Sequence, residues 1–489
     1  MVLIISLILI FVVFVASLSH KLNVPLIIIA LATGIIFGSD VTGLIYFDDA
    51  VFAKNLANIL LVFILFAGGF GTSGKTFRSV VLPTSLLATL GILITAGATG
   101  VLFSLLSGWP LPKSILVAVI ISSTDAAAVF SILRTRSIRK KVSSITEIES
   151  AANDPMAIIS TGFVISLILG EETNTLTSIL QLVWQLGAGA GFGFLIGFAA
   201  VFLFRKVRNI DNSYYYILLI GFMFLSFGLA DLCKASGMLS VFFTGLVMGN
   251  RKLPFRNGLS TFVGTLSFIA NLGLFIFLGL LAFPRQFASI WLPGIIIFAV
   301  MTFVGRPLAV FLCTPGSGLS VKEKAFLSWS GLRGAVPIVL ATYPAAAGLD
   351  GDHAIFNVVF FAVSLSMLVQ GTTIGRLADL FRLGSRIKPK PEQTMELVTI
   401  HDTSYELVEI RLDEDLFEGS CAIAKMGLPA DTTITMVSRA SKVIPPSGST
   451  VVLPGDSLFV LLSEERLEDI RRVIEGCFTR KAAPAWEGS

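Results

Sequence analysis

Residues 149–155 read Glu-Ser-Ala-Ala-Asn-Asp-Pro, and they fall inside a stretch otherwise apolar enough to lie in hydrocarbon. Carboxylates are costly in such surroundings and mark ion or proton routes by default. On a helix, residues four apart share a face, so Glu149 stacks over Asn153 and Ser150 over Asp154, and four oxygen-bearing side chains converge. Hard monovalent cations prefer oxygen ligands. Desolvation disfavours a bare carboxylate, so Asp154 is expected to hold either a proton or a metal ion, and that competition is exchange chemistry in its simplest form. Pro155 leaves the Ala151 carbonyl without its helical donor and is expected to bend the helix beside the site.

Two polar interruptions are placed to complete the set. Apolar residues 116–121 run into Ser122-Ser123-Thr124-Asp125, and a second apolar stretch is broken by Ser330-Gly331-Leu332-Arg333-Gly334. Unwound backbone at membrane depth is tolerated only where it lines a cavity or packs inside protein. Carbonyls freed near Thr124 are ready-made cation ligands, and Thr124 or Asp125 is placed to cap the half-helix that follows. Asp154, Ser150 and the Thr124 backbone form the expected cation-binding set, with Asn153 and Asp125 beside them. Arg333 keeps its charge, so it needs a carboxylate or the negative ends of broken helices. Glu149 is the first candidate for that partner. The bland alternative is a structural polar network that only fixes helix register.

The elements that position these residues are membrane helices. Hydrophobic residues make up 54% of the 489-residue chain, charged residues 14%, and mean hydropathy is +0.85; a soluble protein carries about a quarter charged residues. Apolar windows long enough to cross about 30 Å of hydrocarbon fall near residues 2–18, 24–38, 55–70, 81–106, 113–133, 147–169, 177–204, 213–231, 236–249, 262–283, 288–312, 322–345 and 354–382. Residues 1–18 read as the first span, since a secretory signal would need a basic start and a small-residue cleavage site. Loops after odd-numbered spans carry clusters such as Arg139, Lys140 and Lys141, or Arg205, Lys206 and Arg208, whereas Asp48 and Asp49, Glu171 and Glu172, or Asp350 and Asp352 follow even-numbered ones. By the positive-inside rule the amino terminus is outside and the tail cytoplasmic. Thirteen spans divide as six, a connector and six, and the interruptions sit in the fifth and twelfth, as inverted repeats would place them.

The net charge of +4 suggests no nucleic-acid partner, and four dispersed cysteines with three dispersed histidines imply neither a disulfide framework nor a zinc site. No enzyme chemistry and no cofactor are expected. Residues 69–76 satisfy the Walker A pattern, yet they follow a membrane span where a phosphate loop needs a strand before it. The glycines Gly187, Gly189, Gly191, Gly193 and Gly197 are better read as small residues that let helices approach.

Thr124-Asp125, Glu149-Ser150-x-x-Asn153-Asp154 and Gly331-Leu332-Arg333-Gly334 resemble the signatures of the monovalent cation:proton antiporter-1 family, NhaP type, with supporting pieces at residues 245–250 and in Arg306-Pro307. The resemblance covers roughly residues 1–380. It implies thirteen helices in inverted repeats, a dimerisation module and a core module with crossed, broken fifth and twelfth helices, and a homodimer in the cell's inner (plasma) membrane. It makes Asp154 the carboxylate of the exchanged ion, Ser150 and the Thr124 backbone further ligands, and Glu149 the partner of Arg333. Asn153 before Asp154 implies one cation exchanged per proton, without net charge movement. Ala67 precedes Gly68-Gly69 where relatives carry an acid, which bears on ion selectivity.

Residues 1–384 therefore form the membrane domain, 385–394 a solvated linker with Lys388, Pro389, Lys390 and Pro391, and 395–489 a small cytoplasmic α+β domain. In that tail, residues 405–412, 432–439 and 457–462 read as strands, 419–426 as a short helix, and 463–474 as a longer one. Gly427-Leu428-Pro429 and Pro454-Gly455-Asp456 resemble the TrkA-C type regulatory domain of potassium transport proteins, which implies pairing of tails and a small regulatory ligand such as a cyclic dinucleotide. The expected activity is K⁺/H⁺ exchange gated by the tail, with Na⁺/H⁺ exchange as the alternative cargo and a tail-gated cation channel as the alternative class.

Overall fold

The computed structural model describes residues 6, 10–11, 26–38, 40–45, 49–125, 129, 139–170, 175–207, 211–282, 284–351, 353–383, 394–395, 405–412, 417–429, 431–439, 442–463 and 466–480. The chain divides into two compact units, Met1–Arg386 and Ile387–Ser489.

The first unit is helical among its described residues: α1 (Leu26–Phe37), α2 (Ala50–Gly71), α3 (Gly74–Leu86), α4 (Ile92–Ser107), α5 (Leu111–Ile120), α6 (Lys140–Ile168), α7 (Thr175–Lys206), α8 (Asn212–Leu232), α9 (Gly237–Gly249), α10 (Arg256–Leu280), α11 (Phe287–Val300), α12 (Arg306–Cys313), α13 (Val321–Trp329), α14 (Ala335–Ala346) and α15 (Ala354–Leu380). Among the described residues of this unit, eight helical stretches are long and apolar enough to cross a membrane, and four apolar helices are shorter. Large apolar side chains such as Leu105, Phe202, Ile217 and Leu232 lie exposed along them, the surface a lipid-facing bundle presents. The expected first span, residues 2–18, lies almost wholly outside the described residues.

Local sequence sets where these helices start and stop. Asp49 caps α2 by accepting from the Phe52 amide at 2.9 Å. Ser320 and Glu323 form a capping box at the start of α13, each satisfying an amide the other end of the turn leaves free. Gly108, with φ of 72°, ends α4 in the left-handed conformation that glycine enters without strain. Two π-helical segments interrupt long helices: Leu87–Gly91 joins α3 to α4, and Met301–Gly305 joins α11 to α12.

Packing sorts the helices into two groups. In one, α9 packs on α2, α7 and α8, and α10 on α1 and α2; in the other, α6 packs on α3, α5 and α14, and α11 on α4 and α15. Helix α2 also packs on α14 and so joins the groups. The α2–α9 crossing is close because glycine faces backbone on both sides: a Cβ on Gly69 would lie 2.0 Å from the Phe242 carbonyl oxygen, and one on Gly249 2.0 Å from that of Phe70. Gly189, Gly193 and Gly197 of α7 likewise face α9 or its cap, whereas Gly187 and Gly191 face open space. The Walker-like run therefore belongs to the end of α2 and the start of α3, with no strand before it.

The second unit carries a five-stranded antiparallel sheet of β1 (Thr394–Met395), β2 (Tyr405–Arg411), β3 (Thr433–Arg439), β4 (Lys442–Ile444) and β5 (Ser457–Ser463) in the spatial order β1-β2-β5-β3-β4. Val408 pairs with Val460 and Ile410 with Leu458, all buried. A register shift between Ile434 and Met436 lets Ile434 and Val437 both face the core. The helix Leu467–Gly476 closes that core with Ile470 and Ile474. Asp456, buried in the Pro454-Gly455-Asp456 turn, accepts two hydrogen bonds from Arg439, both at 2.7 Å, and one from the Leu453 amide at 2.8 Å; the paired carboxylate holds the Arg439 guanidinium above its ordinary range. The expected helix over 419–426 is not formed: Cys421–Ala422 is a short strand paired with Val451–Val452, followed by a single 3₁₀ turn at Ile423–Lys425. The strand Lys442–Ile444 and the two-residue bridges were not anticipated, being too short to show alternation.

Candidate functional site

Helix α6 carries Glu149, Ser150, Asn153 and Asp154, and it runs on through Pro155 to Ile168. It meets the two interruptions where they cross. After α5 ends at Ile120, residues 121–125 leave the helix; between α13 and α14 the chain is non-helical through Gly331 to Gly334. The Asp125 amide donates to the Leu332 carbonyl at 2.7 Å, which ties one break to the other. The crossing needs glycine: a Cβ on Gly334 would lie 1.8 Å from Asp125 Oδ2, and one on Gly331 2.8 Å from Arg306 Nε.

At this crossing Asp154, 8% exposed, accepts a hydrogen bond from the Ser123 hydroxyl. Ser150 Oγ donates to the Thr124 carbonyl at 2.8 Å, and Asn153 Nδ2 to Thr124 Oγ1 at 2.7 Å. The oxygens of Ser123, Thr124, Ser150, Asn153 and Asp154 thus come together, and Asn153 Oδ1 is buried without a hydrogen-bond partner. No arginine or lysine pairs with Asp154 among the described residues. This is a compact set of hard oxygen atoms around one acid that, among the described residues, has no paired counter-charge, a chemistry suited to a proton or a small monovalent cation. The residues that would follow Asp125 as a capped half-helix, 126–128, lie outside the described residues.

One expected pairing is corrected. Glu149 does not bind Arg333: its two carboxylate oxygens accept from Arg306 Nη1 at 2.5 Å and Nη2 at 2.8 Å, a parallel fork between two buried side chains. Arg333, fully buried, instead donates to the Ser122 carbonyl and, at 2.8 Å, to the Ser123 carbonyl. The physical reason is that unwinding after Ile120 frees those carbonyls just where Arg333 crosses, so its charge is met by backbone dipoles. Arg306 begins α12 directly after the π segment Met301–Gly305, which brings its planar fork onto Glu149.

Sequence reasoning missed Ser123 and Arg306 as members of the site. Both had a visible signal. Ser123 is the hydroxyl beside Thr124 in the polar interruption, and Arg306 is an arginine within an apolar window, which must find a partner for the same reason as Arg333.

A family model described as sodium/hydrogen exchanger, transmembrane, matches residues 7–380. The chain is 35% identical over 477 residues to a protein named K(+)/H(+) antiporter NhaP2 from Shewanella sp. (strain MR-4), covering 97% of this chain and 83% of the relative. It is 28% identical over 411 residues to Na(+)/H(+) antiporter 1 of Methanocaldococcus jannaschii, covering 77% of this chain and 94% of that one. The structure of the sodium proton antiporter MjNhaP1 from the same organism at pH 8 superposes with a TM-score of 0.69 at 26% identity, over 78% of this chain and 98% of that chain. This helical, multi-pass membrane protein, whose broken segments cross at a buried acid, belongs to the sodium/hydrogen exchanger family.

Proposed function

We propose that this protein is a secondary antiporter in which Asp154 alternately holds a monovalent cation and a proton. The observation that carries the reading is a buried carboxylate that accepts from the Ser123 hydroxyl, beside the Ser150–Thr124 and Asn153–Thr124 hydrogen bonds, with no arginine or lysine paired to it among the described residues. A permanent counter-ion would neutralise Asp154 and leave nothing to exchange. Asp154, Ser150 and the Thr124 carbonyl supply the cation ligands in this reading, Ser123 and Asn153 assist, and Asp125 fixes the crossing through its backbone. Glu149, Arg306 and Arg333 hold the frame.

Potassium is the favoured cargo, in line with the name of the Shewanella relative; the name of the Methanocaldococcus protein supports sodium as a second reading. Asn153 beside Asp154 favours one cation per proton. The matched π segments and matched breaks in the two halves support thirteen spans in inverted repeats, and the basic and acidic loops support an amino terminus outside the plasma membrane and a tail in the cytoplasm. The tail from about residue 395 acts in this reading as a TrkA-C type regulatory domain in a homodimer, open to a small ligand such as a cyclic dinucleotide.

In everted vesicles holding an acid-inside gradient and a trapped pH-sensitive dye, added K⁺ or Na⁺ is expected to collapse the gradient, and Asp154→Ala to abolish that response. Unchanged exchange by the variant would remove the site. Cation flux that persists without any proton movement would instead favour a channel.

A further inference from the structure

The two helix groups enclose a cavity of about 1040 Å³ whose walls include Lys54, Asn58 and Val62 of α2, Ile158 of α6, Asp231 of α8 and Tyr343 of α14. It lies toward the ends of these helices near Ala50, Ile168, Leu232 and Ala346, away from the ends carrying Arg205, Lys206 and Arg251. Val62 and Ile158 are its innermost wall residues on their helices, and Ile158 is one helical turn from Asp154. The cavity therefore opens at one end of the helices and reaches along α6 to within one turn of Asp154, the position a vestibule to the site would occupy.

A vestibule for cations would be expected to carry negative charge alone, yet of its two charged wall residues, Asp231 and Lys54, one is a lysine. Lys54 Nζ lies 4.5 Å from the centroid of the Tyr343 ring, and the Tyr343 hydroxyl donates to Asn58 Oδ1 at 2.8 Å. The ring is thus fixed by α2 and in turn holds the ammonium in the cavity. No carboxylate pairs with Lys54 among the described residues; Asp231, the other charged residue of the wall, forms no ion pair with it. A cationic group held at one place in the wall, with no carboxylate paired to it, raises the potential in its own neighbourhood and thins the cations there.

We propose that Lys54, seated on Tyr343, determines the sidedness of cation binding: it weakens access to the site from the cavity face and leaves the opposite face untouched. This rests on the antiport reading above. A low affinity on the face where an exported cation must leave would speed its release. On the topology proposed here, that face is the external one.

The test compares half-saturating K⁺ and Na⁺ concentrations at each face of the full-length protein, using right-side-out and everted vesicles. Lys54→Gln is expected to lower the value about three- to tenfold at the cavity face, with less than a twofold change at the other, and Lys54→Arg to match the parent. An unchanged value at the cavity face, or an equal shift at both faces, overturns the proposal. Should Lys54→Gln fail to insert, Lys54→Cys is labelled in the membrane with a cationic or an anionic methanethiosulfonate, with the parent treated alongside because Cys233 is exposed. The cationic adduct is expected to show the higher half-saturation at the labelled face; equal values for the two adducts overturn the proposal. A parent without cation-dependent proton movement would refute the antiport reading itself, whereas normal Asp154-dependent exchange with symmetric Lys54 variants refutes only this inference.

Discussion

Two buried acids lie five residues apart on α6 and are treated in opposite ways. Glu149 is gripped by both arms of Arg306, while Asp154 receives a serine hydroxyl and, among the described residues, pairs with no arginine or lysine. An acid with a permanent partner is locked in one charge state and serves as a fastener. An acid without one must take up its neutralising charge as a proton or a metal ion, and in the reading proposed above that ion is the cargo. On that reading, burial alone does not make a transport site; burial with the counter-charge withheld does.

The sharpest way to break this contrast is to neutralise each acid in turn. Asp154→Asn is expected to reduce cation-dependent proton movement to background while the folded yield in detergent stays at the parent level, since the substitution removes a charge that no arginine or lysine among the described residues balances. Loss of folding by this variant would mean that Asp154, too, is a fastener. Glu149→Ala strands the Arg306 guanidinium in a dry interior, which costs about 3–5 kcal/mol, so folded protein should fall steeply by size-exclusion chromatography. Combining Glu149→Gln with Arg306→Gln should restore much of that yield, and failure to do so would argue against a simple charge clamp.

Smaller effects sharpen the same comparison. Ser123→Ala removes a hydrogen bond to a charged group, worth about 1.5–3 kcal/mol, and is expected to raise the cation half-saturation about tenfold without loss of folded protein. A silent Ser123→Ala would leave Asp154 with no assigned donor. In the tail, burial and the neighbouring Cys421 thiol push Cys477 up to about 11, so the proton is retained and less thiolate forms at any pH below that value. Alkylation of Cys477 should therefore be slower than that of exposed Cys233 near neutrality and keep rising between pH 9 and 11. A plateau at pH 9, followed by mass spectrometry, would contradict it.

Much of this was legible because it is local. Glu149, Ser150, Asn153 and Asp154 repeat at helical spacing, and the breaks at 122–125 and 330–334 interrupt otherwise uniform apolar runs. The Arg306–Glu149 fork was not legible, since its partners are 157 residues apart and the choice between two arginines depends on how chain breaks cross in space. Arg333 was assigned a carboxylate because sequence shows acids but not which carbonyls unwinding will free. In the tail, two-residue strands such as Cys421–Ala422 carry no periodicity, so an apolar run there read as a helix.

The widened turn at Met301–Gly305 has a mechanical consequence. Each residue inserted into or removed from a helix swivels everything beyond it by about 100°. Excising one residue from that turn would spin Arg306 off Glu149 and aim its guanidinium toward the hydrophobic surround, with every side chain of the composition unchanged but one. The bulge works like a tooth on a gear: by a single notch of phase, it decides whether an arginine becomes a rivet or a stray charge.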